Sequence, residues 1–453
     1  MTAADPGSFR DPASRVLIDA DRVVRVLDQR GLNAWKALAD SQFFSNAVSD
    51  GQVIAATELP DPPQGESGAL EHPRVPMITY PYEWTFSMLK DAAMLQLDLL
   101  ARALDDGLTI KDATPFNIQF IEGRPVFIDI GSFEPYREGE PWIGYRQFTR
   151  QFLFPLMLRA WLDVPFQPWL RGDMEGPTAA QMRNLLPRGK RSKPSVMVHV
   201  GLQARMEERM AGEAVRDELQ QAGFNAGIIL ANVEKLQNLI SGMAWEPGAD
   251  GWAAYDSCSH VGRDRETKAG FLRHAMSRHR PERVLDLGAN DAYFSEIASD
   301  GGAHAIAVDS DESILERVYK ESAGKSMSLA LSELANPSPD QGWSGVERPS
   351  LFARADADLI IAYGLIHHLI YSASIPPSLV VGWLRRFDCP VVVEFVAPDD
   401  EMVKTLTSNK HDDELHPGRD EAAFRKLIAG SFDIASEKRL GSGTRVLFQL
   451  APV

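Results

Sequence analysis

The C-terminal part of the chain, residues 251–453, is predicted to be an α/β domain with a doubly wound, mostly parallel sheet. From Arg283 onward, the apolar runs RVLDL, AIAV, DLIIAY and VVVEFV alternate with helix-like segments. Uninterrupted apolar strands separated by helices are typical of a sheet that helices cover on both faces. A chain of 453 residues also exceeds what one hydrophobic core usually organises, so we expect further domains before this one.

Those further regions are an α+β domain over residues 1–160 and a largely helical connector over residues 161–250. Apolar residues recur at helical spacing over Trp84–Asp106, which predicts a buried helix. Two short β-type runs follow, Ile118–Ile121 and Pro125–Ile130, with a Glu-Gly pair between them. This arrangement predicts a β-hairpin.

The composition indicates a folded, soluble protein, because apolar residues make up 44% and charged residues 24%. Lysine and arginine total 47 against 63 acidic residues, and the net charge of -16 disfavours nucleic acid as a partner. No apolar stretch approaches the ~20 residues that span a bilayer, and the first residues lack the pattern of a signal peptide. We therefore expect a cytoplasmic protein without a membrane partner.

No metal site is predicted. Cys258 and Cys389 lie far apart, and His260 has no further partner at a recognised metal-ligand spacing. The polar loop His411–His416 contains two histidines and two aspartates that could bind a metal, but a solvated loop is the preferred interpretation. The basic loop Arg188–Lys193 is likewise interpreted as solvated rather than as an anion-binding patch.

The most informative segment is Arg283–Asp309, RVLDLGANDAYFSEIASDGGAHAIAVD. A strand is predicted to end at Leu287, and Gly288 after it allows a ligand to approach the backbone closely. A helix that begins near Ala292 offers free backbone amides at its start. A second strand ends at Asp309, whose carboxylate is placed to accept hydrogen bonds from the ribose hydroxyls of a nucleoside bound across the strand ends.

This segment resembles the first two motifs of class I S-adenosylmethionine-dependent methyltransferases, in which an acidic residue precedes Gly-x-Gly-x-Gly. Asp286 and Gly288 match that pattern, whereas Asn290 stands at the second glycine and an alanine at the third. The resemblance implies S-adenosylmethionine as the cofactor. Asp286 would hold its amino group, Gly288 would border the methionine moiety, and Asp309 would bind the ribose. Asn290 and Asp291 would complete the turn around it.

Later segments extend the resemblance and imply a Rossmann-like fold. ADLIIAYGLIHHL is similar to the fourth strand and following turn of these enzymes, where Tyr363 and Gly364 would face the cofactor. PVVVEFV would be the fifth strand. FDIASEKRL and GTRVLFQL are similar to the antiparallel sixth and seventh strands that close the family's sheet.

Three residues are candidates for catalysis, His367, His368 and Glu394. The two histidines follow the predicted fourth strand, and an imidazole near neutral pH suits removal of a proton from a hydroxyl nucleophile. The alternative is that one histidine packs in the core and the other is a surface residue. Glu394, late in the fifth strand, is the competing base.

The N-terminal half carries a second resemblance. LTIKDATPFNIQFIEGRPVFIDIGSF is similar to the catalytic loop and metal-binding turn of kinase-like phosphotransferases, and Asp112, Asn117 and Asp129 match the positions that orient the hydroxyl and hold magnesium. No Gly-rich phosphate loop is recognisable in the sequence. No lysine in a strand matches the family's pattern either, and Lys36 lies in a helix-like segment. A vestigial kinase-like scaffold that binds or shields substrate is therefore preferred over an active kinase.

Together the two halves resemble a bacterial two-part family that includes methyltransferase-like nodulation proteins, on the PYEW segment Pro81–Trp84 and the KDA segment Lys111–Ala113. The resemblance implies methylation of an oxygen on a small-molecule or glycan acceptor. The alternatives are a non-catalytic scaffold of enzyme-derived domains and a bifunctional kinase and methyltransferase. The sequence predicts no particular oligomeric state.

Overall fold

A computed structural model describes residues 3–19, 22–191, 193, 196–204, 225–247 and 261–453. The chain divides into two compact units. Unit 1 comprises Met1–Glu246 and Asp340–Pro349, and unit 2 comprises Pro247–Pro339 and Ser350–Val453. The predicted boundary between the connector and the C-terminal domain, together with Cys258 and His260, lies outside the described residues.

Unit 1 begins with a five-stranded antiparallel sheet in the order β1-β2-β3-β5-β4. Its strands are β1 Ala3–Ala4, β2 Ser14–Ile18, β3 Val23–Leu27, β4 Thr57–Glu58 and β5 Gly68–His72. The apolar side chains of β3 and β5 pack into a small core around Val24, Val26 and Ala69. This burial holds the sheet together, since short strands gain little stability from pairing alone.

The rest of unit 1 is mainly helical. Its helices are Gln29–Ala39, Gln42–Ser49, Phe86–Asp105, Tyr145–Phe148, Phe154–Leu162, Gln167–Gly172, Ala179–Leu185, Arg188–Arg191 and Ala226–Ser241, with π-helical turns at Thr149–Leu153 and Met197–Leu202. There are also two small antiparallel sheets of two strands each. One pairs β6 Leu108–Ile110 with β9 Phe133–Pro135, and the other pairs β7 Ile118–Ile121 with β8 Arg124–Phe127.

Two predictions for this half are confirmed. The predicted helix forms over Phe86–Asp105 and buries most of its apolar side chains. The predicted hairpin forms between β7 and β8, and its turn residues Glu122 and Gly123 both have positive φ, 50° and 72°. Two consecutive residues of this kind match the right-handed twist of the flanking strands.

The segment Asp340–Pro349 belongs to unit 1 although the chain on both sides of it belongs to unit 2. Arg10 donates two hydrogen bonds to the buried carboxylate of Glu347, at 2.7 and 2.8 Å. The guanidinium of Arg348 lies 4.6 Å from the ring centroid of Phe116. Unit 1 is therefore discontinuous in sequence. The sequence analysis did not predict that this segment would belong to it.

Unit 2 is built on a seven-stranded sheet in the order β12-β11-β10-β13-β14-β16-β15. Its strands are β10 Arg283–Leu287, β11 His304–Asp309, β12 Met327–Leu331, β13 Leu359–Ala362, β14 Val391–Val396, β15 Phe432–Arg439 and β16 Arg445–Pro452. The first five are parallel, and β16 pairs antiparallel with both β14 and β15. The doubly wound, mostly parallel sheet predicted from the apolar runs is thereby confirmed.

Helices connect these strands and cover the sheet. They are Val261–His279, Tyr293–Asp300, Glu312–Glu321, Leu351–Arg354, Pro377–Arg385, Glu401–Thr407 and Glu421–Ile428, with a π-helical turn at His368–Ser372. The central strands β10, β13 and β14 are almost wholly buried. Because parallel strands share one direction, their carboxyl ends lie along one edge, where ligands of such sheets bind. Within the described ranges, every helix is too short or too polar to cross a bilayer.

Candidate functional site

The turn after β10 has an unusual backbone. Gly288, Asn290 and Ala292 have φ angles of 75°, 49° and 58°, so three of five successive residues are left-handed. The amides of Gly288 and Ala289 donate to the carbonyl of Val308 on β11, at 2.9 and 3.0 Å. A left-handed conformation costs a non-glycine residue about 1–2 kcal/mol. Asn290 and Ala292 therefore keep the backbone that glycine adopts easily, at an energetic cost.

Asp286 lies in β10, one residue before its end, and is buried. The hydroxyl of Ser295 donates to its carboxylate at 2.7 Å. Burial raises the pKa of Asp286 to about 7, a value that already includes a further contribution from the carboxylates of Asp309 and Asp291 and the opposing hydrogen bonds from Ser295. Among the residues that the structure describes, no cation pairs with this carboxylate, which makes it suited to a positively charged ligand group.

Asp309 ends the neighbouring strand β11 and accepts backbone hydrogen bonds on both carboxylate oxygens. The amide of Asn290 donates to one carboxylate oxygen at 2.8 Å, and the amide of Asp311 donates to the other at 2.9 Å. Burial raises the pKa of Asp309, although these backbone donors oppose the rise. Asp309 therefore anchors the left-handed turn, and its carboxylate keeps lone-pair capacity for a further donor.

Asp291 stands at the outer side of the turn. Its carboxylate forms an ion pair with Arg265 at 2.7 Å, and the Arg265 guanidinium lies 3.9 Å from the ring centroid of Tyr293. Both side chains are partly exposed. This pair connects the helix Val261–His279 to the start of the helix Tyr293–Asp300.

Tyr363 and Gly364 form the turn after β13. The buried Tyr363 ring packs edge-to-face on Phe294, with centroids 4.8 Å apart, and its hydroxyl donates to the carbonyl of Lys268 at 3.2 Å. Gly364 has a φ angle of 60°, and its amide donates to the Glu394 carboxylate at 2.8 Å. This turn lies at the same sheet edge as the turn after β10.

Glu394 in β14 is fully buried and carries two ion pairs. Its Oε2 lies 2.7 Å from the Lys268 ammonium, and its Oε1 lies 3.3 Å from the Arg445 guanidinium. Sequence reasoning did not identify Lys268 or Arg445. The available signal was a glutamate inside the apolar run VVVEFV, because a buried charge requires a partner.

The imidazoles of His367 and His368 are 4.2 Å apart between ring centroids. His367 is buried, and neither of its ring nitrogens has a hydrogen-bond partner among the described residues. Burial lowers the pKa of His367 well below its usual value and that of His368 to about 4. Both rings are therefore neutral at physiological pH, the form that accepts a proton. His368 begins a π-helical turn, a feature frequent at functional sites.

No group of three or more histidine, cysteine or acidic side chains in the described parts of the chain could hold a metal ion. In the polar loop His411–His416, the amide of His411 donates to Glu414, and the His416 ring contacts the carbonyl of Ser374 at 2.8 Å.

In unit 1, the structure brings Asp129 and Asn117 together through Ser132. The Asn117 amide donates to the Ser132 hydroxyl at 3.1 Å, and that hydroxyl donates to Asp129 Oδ2 at 2.5 Å. Asp129 Oδ1 forms an ion pair with Arg25 of β3 at 2.8 Å. Burial raises the pKa of Asp112, and the charge of Asp129 contributes to the rise.

Arg25 was not identified from the sequence, where it lies within the apolar run of β3. Its guanidinium is nearly buried and also donates to the Ser14 hydroxyl at 2.7 Å. With Arg25 on one oxygen of Asp129 and Ser132 on the other, the carboxylate is already compensated. A magnesium ion would have to compete with these partners for the carboxylate.

We expect Asp129→Asn to lower the free energy of unfolding by about 1–3 kcal/mol, because it leaves the Arg25 guanidinium without a countercharge. Urea unfolding of the full chain measures this, with Asp98→Asn, which removes the exposed pair with Arg102, as the control. Magnesium-dependent ATP binding is expected to be weak or absent in both proteins. Wild-type binding at about micromolar affinity, lost in Asp129→Asn, would show instead a working nucleotide site.

The chain was compared with known proteins. No family model matches it. The nodulation protein NoeA of Rhizobium meliloti (strain 1021) is 30% identical over 454 residues, which cover 98% of this chain and 94% of NoeA.

Solved structures similar to this chain include those of NodS, ChlM and WbdD. The N-methyltransferase NodS from Bradyrhizobium japonicum WM9, in complex with S-adenosyl-L-homocysteine, has 12% identity and a TM-score of 0.31, covering 45% of this chain and 93% of NodS. The magnesium protoporphyrin IX methyltransferase ChlM from Synechocystis PCC 6803, with bound SAH, has 14% identity and a TM-score of 0.29, covering 49% and 94%. Monomeric WbdD has 16% identity and a TM-score of 0.30, covering 47% and 48%.

Proposed function

The chain belongs to the family of the nodulation protein NoeA, and we propose that it is an S-adenosylmethionine-dependent methyltransferase whose cofactor site lies at the carboxyl edge of the unit 2 sheet. One observation carries this proposal. The buried carboxylate of Asp286 and the partly buried carboxylate of Asp309 lie at the carboxyl ends of adjacent parallel strands, beside a left-handed turn. That arrangement suits a nucleoside with a cationic amino acid attached.

The chemistry of the two carboxylates fits this cofactor. Asp286 has no cationic partner in the described parts of the chain, so the ammonium group of the methionine moiety would supply the countercharge. Asp309 already orders the turn through its backbone donors and keeps lone-pair capacity for the ribose hydroxyls. The two acids therefore have separate roles, one toward the amino acid and one toward the nucleoside.

The two glycines leave space beside these carboxylates. Among the described residues, a Cβ on Gly288 would meet only the Leu365 side chain, at 3.6 Å. A Cβ on Gly364 would meet only Glu394, at 4.0 Å. Both glycines have positive φ, so other residues would be strained there as well. Tyr363, packed on Phe294, would close one wall of the same space.

When bound, S-adenosylmethionine supplies an activated methyl group. The chain's own task is then to position the acceptor in line, which can provide much of the acceleration. His367 and His368 are neutral imidazoles, the protonation state that a base needs, and they are the candidates for taking a proton from a hydroxyl acceptor; their lowered pKa values make them weak bases before a ligand binds. Both oxygens of Glu394 are held by cations, which makes it less suited to that role.

The acceptor class proposed for this chain is a hydroxyl-bearing small molecule or glycan. For unit 1 we propose a scaffold that binds or shields this substrate rather than a phosphotransferase. The supporting observation is the pairing of Asp129 with Arg25 and Ser132, which compensates the carboxylate that would otherwise attract magnesium.

Methyl transfer tests the proposal directly. Wild-type protein incubated with methyl-labelled S-adenosylmethionine and fractionated cell metabolites and glycans is expected to yield a labelled product. His367→Ala is expected to lower the rate about 10²–10⁴-fold, because a general base contributes this much, while cofactor affinity stays unchanged. His411→Ala, in an exposed loop, is the matched control. Cofactor binding without any labelled product from a broad panel would favour the non-catalytic scaffold.

A further inference from the structure

A buried network of charges lies behind the proposed cofactor turn. It consists of Glu394 on β14, Lys268 on the helix Val261–His279, and Arg445 on β16. The side chain of Glu394 is fully buried, while 15% of Lys268 and 22% of Arg445 is exposed. Three elements that are distant in sequence therefore meet at one carboxylate.

The same carboxylate holds the backbone of the turn. The amide of Gly364 donates to Glu394 Oε2 at 2.8 Å, the oxygen that also contacts Lys268. A hydrogen bond from an amide to an ionised carboxylate is about twice as strong as one between neutral groups. A glycine adopts positive and negative φ about equally readily. This hydrogen bond therefore holds Gly364 at its positive φ.

Lys268 connects the network to Tyr363 in a second way. Its backbone carbonyl accepts the Tyr363 hydroxyl at 3.2 Å, and its ammonium lies 5.8 Å from the centroid of the Tyr363 ring. The helix that carries Lys268 therefore contacts both residues of the turn, one through the side chain of Glu394 and the other directly.

Arg445 is fixed on its other side by Asp400. The guanidinium donates to both Asp400 oxygens, at 2.9 and 3.0 Å. Burial alone would raise the pKa of Asp400, but hydrogen bonds from Arg445 and Thr444 outweigh it and hold the pKa at about 2. Asp400 therefore stays ionised and keeps Arg445 oriented toward Glu394.

We infer that Glu394 is a positioning residue that holds the Tyr363–Gly364 turn in its ligand-binding conformation through its bonds to Gly364, Lys268 and Arg445. This inference rests on the proposed function, because it assigns the turn to the cofactor site. It replaces the role of competing base that the sequence suggested for Glu394. A proton acceptor needs a free lone pair directed at the substrate, whereas both oxygens of this carboxylate are already bonded to cations.

The test compares Glu394→Gln, which keeps an acceptor for the Gly364 amide but loses the charge, with Glu394→Leu, which loses both. The dissociation constant of S-adenosylhomocysteine is expected to rise about 10-fold for glutamine and about 100-fold for leucine, from the loss of charge-assisted hydrogen bonds. At saturating S-adenosylmethionine, kcat is expected to change less than the dissociation constant. A proton acceptor would show the reverse, a loss of about 10²–10⁴ in kcat at unchanged affinity.

A ligand-free readout separates positioning from general destabilisation. Hydrogen exchange of the amides around Gly364 is expected to be faster in Glu394→Leu than in wild type, and intermediate in Glu394→Gln. Glu437→Gln is the matched control, because it breaks an exposed glutamate pair with Arg425 far from the turn in sequence. Lys268→Met is the second variant if a Glu394 variant fails to fold, since Lys268 is partly exposed.

Each outcome decides one question. Wild-type affinity in folded Glu394→Leu and Lys268→Met, with unchanged exchange at Gly364, would overturn the positioning role while leaving the methyltransferase proposal intact. Failure of the wild type itself to bind S-adenosylhomocysteine would overturn the proposed function and this inference with it.

Discussion

Substitution of Asp286 by asparagine is expected to weaken binding of S-adenosylhomocysteine about 10- to 150-fold at about pH 8, because a hydrogen bond to a charged group contributes about 1.5–3 kcal/mol. The wild-type affinity should itself depend on pH. With the pKa of Asp286 raised to about 7, the ionised form that pairs with an ammonium group is depleted at lower pH. Affinity should therefore fall about tenfold between about pH 8 and pH 6, and this dependence should disappear in Asp286→Asn.

As pH rises, the stability of the folded protein should fall while its affinity for S-adenosylhomocysteine increases. The pKa of Asp286 is raised in the folded protein above its ordinary value of 3.8. The folded state therefore binds more protons than the unfolded state between these values, and stability falls as pH rises through that window. Above it, Asp286→Asn removes an unfavourable buried charge and is expected to unfold at a temperature no lower than wild type. Asp300→Asn, at the exposed end of the next helix, is the control. Parallel losses of stability and affinity would contradict the assigned role.

Substitution of Asp309 by alanine is expected to weaken S-adenosylhomocysteine binding by about 1–3 kcal/mol, because the ribose hydroxyls and the turn amides lose their acceptor. Adenosine separates the two acids, since it contains the ribose but no amino acid. We expect Asp309→Ala to weaken adenosine and S-adenosylhomocysteine alike, whereas Asp286→Asn should weaken only the latter. Isothermal titration of both ligands measures this difference.

Asp356→Asn is the control for the Asp309 experiment, because Asp356 pairs with Arg283 near the amino end of β10. An equal loss of adenosine binding in Asp286→Asn and Asp309→Ala would show that the two carboxylates do not divide the ligand between them. The assignment of ribose to Asp309 would then be wrong.

The strands of unit 2 that could be predicted from the sequence are those with a continuous apolar run. The buried strands β10, β11, β13 and β14 are near-continuous apolar runs, a pattern that a parallel sheet imposes. The edge strand β12 was not among the predicted runs, and its sequence MSLAL contains a serine. This buried serine, Ser328, interrupts the apolar run, so the segment lacks the continuous pattern that indicates a parallel strand.

The segment Asp340–Pro349 shows why part of the architecture could not be predicted. Its contacts are made by Glu347 with Arg10 and by Arg348 with Phe116, residues more than two hundred positions away in the chain. A short polar stretch gives no periodic pattern that would identify such partners. Only the folded chain brings them together.

The left-handed turn after β10 shows the limit of motif matching. The sequence departs from the glycine pattern at Asn290 and Ala292, yet both residues keep positive φ. The amides of Gly288 and Ala289 are bonded to β11, and that of Asn290 to Asp309, so the surrounding bonds determine the turn. Backbone bonds of this kind are not visible in residue identities.

Long-range ion pairs account for the functional residues that the sequence analysis missed. Arg25 and Lys268 are ordinary charged residues in sequence, and they gain a role only through Asp129 and Glu394. The usable signal lay in their surroundings. A charge within an apolar strand, as at Arg25 and Glu394, indicates a buried partner elsewhere in the chain.

Calorimetric titration of the full-length wild-type protein with S-adenosylhomocysteine at about pH 8 tests the central claim most directly. The predicted result is saturable binding at one site per chain with a dissociation constant near or below about 1 μM, and a matching rise in the unfolding temperature. Absence of saturable heat with both S-adenosylhomocysteine and S-adenosylmethionine, in protein shown to be folded by its unfolding transition, would contradict it.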